Sequence, residues 1–199
     1  MTNLYEPLPA GLEVGGRFCA MNTSFRVWLR AERVMADTEL PQTEQIALLI
    51  SLCYREPEKC CTAAHLDALL RFYRGGREAD PDDSARTTAP VYDFEQDADY
   101  IYAAFLQVYG VDLFETDLHW WAFRAMFAAL PEGCAMSRIM SWRAADTRDM
   151  PRGQRKFYRR MQSLYALKPK NAAKRKMTLA DRDRMWLEKV NKAYEGVKS

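Results

Sequence analysis

Apolar and polar positions alternate briefly near the N-terminus and then settle into a helical rhythm. Residues 12–20, LEVGGRFCA, alternate on both sides of Gly15-Gly16, which places Leu12, Val14, Phe18 and Ala20 on the apolar side. A Gly-Gly pair accepts the positive φ angles of a two-residue type I′ turn, so the segment predicts a short β-hairpin. FRVWLRAERVM (25–35) then reads as a helix capped by Thr23 or Ser24. PQTEQIALLISLCY (41–54) has Pro41 in its first turn, and AAHLDALLRFYR (63–74) follows Thr62, with Leu66, Leu69, Leu70 and Tyr73 at helical spacing. Over residues 75–90, GGREADPDDSARTTAP, every periodicity stops, and Gly, Pro, Asp and Ser predict a long flexible loop.

The helical pattern resumes at Asp93, a predicted cap with Gln96 placed for a capping box. Phe94, Ala98, Ile101, Phe105 and Val108 form one stripe of a helix that Gly110 closes. Thr116 or Asp117 is expected to start the next helix, apolar nearly all round and therefore buried, which Pro131-Glu132-Gly133 ends. A shorter helix carries Met136, Ile139 and Met140, another runs from Pro151 to about Leu167, and a last one opens at Thr178. Roughly eight helices and one hairpin make a mainly α, compact multi-helix domain, with nothing to support a larger sheet. The expected organisation is an N-terminal segment with the hairpin (1–22), a helical domain (23–167) interrupted by the 75–90 loop, and a basic linker with a C-terminal helix (168–199).

Composition narrows the function class. Apolar residues at 48% and charged residues at 28% are ordinary for a soluble globular domain, and a net charge of +2 excludes a general polycation. Cys19, Cys53, Cys60, Cys61 and Cys134 are odd in number and contain no Cys-x-x-Cys, which predicts reduced thiols in a cytosolic protein. No signal peptide and no membrane-length apolar run is read at the N-terminus or elsewhere.

Candidate chemistry is sparse. His119 sits beside Asp117, but a general base needs a nucleophile and an orienting partner, and no GxSxG or cysteine signature supplies them; a structural role is expected. Cys53, Cys60, Cys61 and His65 fall short of zinc-knuckle spacing, so buried thiols are expected and no metal is assigned. Asp93, Glu95, Asp97 and Asp99 fit the positive end of a helix. Glu78, Asp80, Asp82 and Asp83 complete no EF-hand loop. Gly15-Gly16 and Gly75-Gly76 lack the context of a phosphate loop, and no cofactor is expected.

One charge pattern rises above this background. Met150–Ala180 contains ten Lys or Arg and no Asp or Glu. Arg152, Arg155, Lys156, Arg159 and Arg160 share a predicted helix with Phe157, Tyr158, Met161, Leu164 and Tyr165. Such a face is a solvated surface, a docking site for an acidic protein, or a nucleic-acid contact that fades with salt. It has the look of a calmodulin-binding or membrane-surface helix as well, with no other feature in support.

Several blocks together resemble the bacteriophage gene-product-fifteen family. They are LPAGLEVGGRFCAMNTSFRVWL (8–29), YDFEQDADYIYAAFLQVYGVDL (92–113), LHWWAFRAMFAALPE (118–132), IMSWRAADTRDM (139–150) and YALKP (165–169). The resemblance implies a non-enzymatic protein of siphophage or prophage tail modules, with no catalytic residues to carry over. It further implies a tail assembly chaperone in the host cytoplasm that keeps the tape-measure protein soluble, with the tail-tube protein as a further partner. A structural tail or connector component is the alternative. Self-association through the hairpin edge is expected, nucleic acid and membrane are not.

Overall fold

The structure, a computed structural model, describes residues 4–60, 62–78 and 90–168. The chain divides at Ala166/Leu167 into two units, and every element below lies in the first. Its strands are β1 (Gly11–Val14) and β2 (Arg17–Ala20). The helices are α1 (Phe25–Met35), α2 (Gln42–Cys53), α3 (Ala63–Tyr73), α4 (Ala98–Tyr109), α5 (Trp120–Ala128), α6 (Ala135–Ala144) and α7 (Arg152–Leu164), with a 3₁₀ turn at Pro57–Lys59. The fold is mainly α with an N-terminal antiparallel hairpin, as the pattern predicts. The predicted helix after Thr178 lies outside the described residues, as do residues 79–89 of the predicted 75–90 loop.

Gly15 and Gly16 have φ of 58° and 77°, the signature of a type I′ turn. That turn pairs Leu12 with Cys19 and Val14 with Arg17. Residues directly opposite in an antiparallel pair share a face. Leu12, Val14 and Cys19 therefore pack on the core, whereas Phe18 points away and is 62% exposed. The expected placement of Phe18 and Ala20 with Leu12 is corrected by this register. A Cβ on Gly11 would lie 2.1 Å from the Cys19 carbonyl oxygen, so the close approach of the strands requires glycine there. The hairpin packs on α3; α1 packs on α2 and α5; α4 packs on α5 and α6; and α6 packs on α7.

The core is a run of stacked rings. Trp28 is fully buried and stacks on Phe72 and Trp120, with centroids 5.1 and 6.1 Å away. Phe123 stacks between Phe25 at 4.9 Å and Phe105 at 5.0 Å, so α1, α4 and α5 meet on one side chain. A buried indole needs an acceptor for its N–H. Trp28 donates to the Asn22 carbonyl at 2.7 Å, Trp120 to Tyr73 at 2.9 Å and Trp121 to Phe72 at 2.8 Å. The last two acceptors are carbonyls at the C-terminal end of α3, which lack intrahelical donors.

Several helix starts differ from expectation. Ser24 occupies the cap position of α1, but its hydroxyl donates to Asp117 at 2.6 Å instead of capping the helix. Thr62 precedes α3 as expected, yet its hydroxyl meets the His65 ring at 2.6 Å. Asp93 caps a separate turn, accepting from the Glu95 and Gln96 N–H groups at 3.0 and 2.9 Å. Asp97 returns the bond to the Asp93 N–H at 2.9 Å, and α4 begins only after it. A predicted stripe member, Ala98, is consequently exposed. The cap of α5 is His119, not Thr116 or Asp117. The face of α5 that carries Ala125, Ala128 and Ala129 is exposed, so this helix is buried on its Trp120, Phe123 and Phe127 face rather than all round. Finally, α7 ends at Leu164, a few residues before the expected Leu167.

Candidate functional site

α7 begins after Pro151, whose fixed φ suits a helix start, and its sequence is strongly amphipathic. Its inner side is held by Tyr165, whose ring stacks on Trp142 at 5.4 Å, and by Gln162, which donates to the Trp142 and Ala145 carbonyls at 3.1 and 2.8 Å. Arg152, Lys156, Arg159 and Arg160 are exposed on the opposite side, and none of them forms an ion pair with a carboxylate of the described residues. Arg155, predicted with them, is turned inward. It donates to the Arg148 and Met150 carbonyls at 2.8 and 2.9 Å and closes the turn before the helix. Phe157, 48% exposed, and Leu164, 66% exposed, lie one heptad apart and form an apolar shoulder beside Arg160. The surface is thus a row of four cations flanked by two large apolar side chains. Helix period places the shoulder, but its exposure depends on which side α6 covers.

What fixes the base of this surface is an ion pair made by Asp97, a carboxylate expected from the sequence to serve the helix dipole alone. The Arg143 guanidinium donates to both Asp97 carboxylate oxygens, at 2.7 and 2.9 Å. Asp97 is 2% exposed and Arg143 10%. Arg143 further donates to the Val91 carbonyl at 3.0 Å and the Tyr165 carbonyl at 2.7 Å. One side chain thereby joins the segment before α4, the start of α4, the end of α6 and the end of α7. A local sequence signal for it is lacking, because the partners are 46 residues apart.

His119 is placed by two bonds. Its Nδ1 accepts the Trp121 N–H at 3.0 Å, so the proton is on Nε2, which donates to the Pro9 carbonyl at 3.1 Å. Burial lowers its pKa from the ordinary 6.5, against the raising effect of the Pro9 bond. The imidazole caps α5 and ties down the N-terminal segment. Asp117 turns instead to Ser24 and to Arg26 at 3.1 Å.

The remaining candidates separate. Glu95 pairs with Arg33 at 3.6 Å and Glu78 with Arg71 at 3.6 Å, both at the surface. Asp80, Asp82, Asp83 and Cys61 lie outside the described residues. Cys53 is fully buried, and desolvation pushes its thiol up to about 12. Cys60 and His65 do come together, with Cys19 rather than Cys53; their ligand atoms all lie within 4.8 Å of one another. An aromatic cleft of about 280 Å³ opens between α3, α5 and α6, lined by Tyr73, Trp120, Phe127 and Met140. Arg124 crosses it, its guanidinium 5.8 Å from the Trp120 ring centroid. Among the described residues, no helix is long and apolar enough to cross a membrane.

Residues 4–167 match the family model described as Bacteriophage Gp15 protein. No curated protein and no solved structure matches the chain.

Proposed function

We infer the role of the protein from one premise: the chain belongs to the bacteriophage Gp15 family and is a phage protein. We propose that it is a non-enzymatic tail assembly chaperone, which keeps the tape-measure protein soluble in the host cytoplasm while tail-tube subunits polymerise around it. The observation that carries this reading is the outer face of α7, with Arg152, Lys156, Arg159 and Arg160 exposed, and unpaired among the described residues, beside exposed Phe157 and Leu164. A long amphipathic helix must hide its apolar stripe until a tube covers it. The α7 shoulder offers apolar cover, and the cations offer attraction to acidic positions flanking that stripe.

The test is co-expression with the tape-measure protein encoded nearby, followed by the mass of whatever elutes together. The expected result is a soluble complex, with the tape measure insoluble alone. Reversal of charge in Lys156→Glu/Arg159→Glu/Arg160→Glu should lower the recovered tape measure several-fold while the chaperone stays soluble. A tape measure that precipitates regardless, together with this chain in purified virions by mass spectrometry, would place the protein among structural tail components instead.

A further inference from the structure

We propose that Cys19, Cys60 and His65 form a zinc site that fastens the N-terminal hairpin to α3. Three chain segments converge there: Cys19 from β2, Cys60 after the 3₁₀ turn, and His65 in the first turn of α3. Their two sulfurs and one ring nitrogen all lie within 4.8 Å of one another. In tetrahedral zinc, with Zn–S bonds of about 2.3 Å, neighbouring sulfurs sit ~3.8 Å apart. Closing a remaining gap of up to about 1 Å takes small side-chain rotations.

Two thiolates and an imidazole are the donor set that zinc prefers, with the fourth position left to solvent. Each thiol releases its proton on binding, so the two thiolates balance the charge of the ion and leave the site neutral. The surroundings already hold the histidine. Tyr54, 2% exposed, donates its hydroxyl to the His65 carbonyl at 2.7 Å, and Thr62 Oγ1 lies 2.6 Å from Nδ1. With Nδ1–H donating to Thr62, Nε2 is free to bind metal, the outer-shell arrangement typical of zinc histidines. Among the described residues, the hydrogen bond that Cys19 Sγ would give up is a weak one to the Arg17 carbonyl at 3.8 Å. A two-stranded hairpin of four-residue strands depends on its packing against the rest of the fold, and a metal bridge would add to that packing. Its β1 strand packs on α3, and Leu12, Val14 and Cys19 pack against the core, a small apolar face that a metal bridge would reinforce.

The site is independent of the chaperone reading and is tested without any partner. The full chain, reduced and stripped with chelator, is titrated with cobalt(II) and then zinc(II). The expected result is a thiolate-to-cobalt charge-transfer band that saturates at one ion per chain, is bleached by zinc, and accompanies a rise in melting temperature. Cys19→Ser and His65→Ala should each weaken binding at least ~tenfold. Cys134→Ser, at the cap of α6, should leave binding unchanged. Thr62→Val, which removes only the hydroxyl on the ring, should weaken it with the fold intact and serves if the other variants do not fold. No band in the natural sequence, or a band undiminished in both Cys19→Ser and His65→Ala, overturns the proposal. So does a Cys19–Cys60 disulfide that forms in preference to metal binding.

Discussion

At the scale of single residues, two polar groups bear more than their positions in the sequence suggest. His119 caps α5 only as the neutral imidazole, because Nδ1 must accept the Trp121 N–H. Its pKa in the fold lies below the ordinary 6.5, so the unfolded chain takes up the proton first as the pH falls. Its contribution to stability is therefore complete above about pH 6.5, declines below it, and levels off once the folded imidazole itself protonates. Asparagine caps helices well without titrating. Urea midpoints of the natural chain and of His119→Asn, measured from neutral to mildly acid pH, should converge on acidification; a constant gap would show that His119 does not titrate in this way. The Arg143–Asp97 pair is a larger effect. Removing one partner leaves a desolvated charge, so Arg143→Met should cost about 3–5 kcal/mol in urea unfolding. Adding Asp97→Leu to Arg143→Met should cost less than the two single losses combined, since no charge is then stranded. Strict additivity would refute the coupling. Both groups sit inside blocks that carry the family resemblance, and their side chains explain those blocks as scaffold: Asn22 donates to the Leu52 carbonyl at 2.6 Å, Arg26 holds the Leu113 and Phe114 carbonyls at 2.7 and 2.9 Å, and Trp28 fills the core.

At the scale of elements, what the sequence states locally is what it predicts well. The Gly-Gly turn, the helix after Pro151 and the left-handed closure of α4 at Gly110, φ 66°, each follow from one or two residues. The helix starts go astray where a capping side chain finds a distant partner. Ser24 reaches Asp117 across 93 residues, and Asp97 reaches Arg143. Periodicity likewise marks α5 as apolar but does not say that its alanine face stays outside, since alanine fits either environment. The hairpin gives a direct check on the turn. At positive φ a side chain costs about 1–2 kcal/mol, so Gly16→Val should destabilise the fold by that order, whereas Gly15→Asn, a residue tolerant of the left-handed region, should be close to neutral. Equal losses in thermal unfolding would mean that the turn is not the type I′ one seen here. For α7 the expectation is the reverse. Substitution of Arg152, Lys156, Arg159 or Arg160 should move stability by no more than ~0.5 kcal/mol, because these side chains are exposed and form no ion pair among the described residues.

At the scale of the whole molecule, a net charge of +2 and four exposed cations on α7 pose a choice between a protein partner and a nucleic acid. The resemblance blocks end at 150 and resume at 165, so the basic face falls between them, and its purpose is not written in the scaffold motifs. Physical chemistry separates the two partners by salt. Binding of duplex DNA by four cations gives log K a slope against log salt of roughly −0.9 per phosphate neutralised, or ~−3.6 in all, with nothing apolar to offset it. Such binding is weak at physiological salt. Contact with an amphipathic helix adds burial of Phe157 and Leu164, about 1.5–3 kcal/mol for each side chain fully covered, and that part does not fade with salt. Retention of the tape measure on immobilised protein should therefore fall only modestly between about 0.05 and 0.2 M salt, where a four-phosphate contact loses more than ~100-fold in affinity. Phe157→Ser/Leu164→Ser should remove the salt-resistant part and leave the salt-sensitive part. Retention that follows the full counter-ion slope, with binding to duplex DNA at the same salt, would assign the α7 face to nucleic acid and end the chaperone reading of this surface.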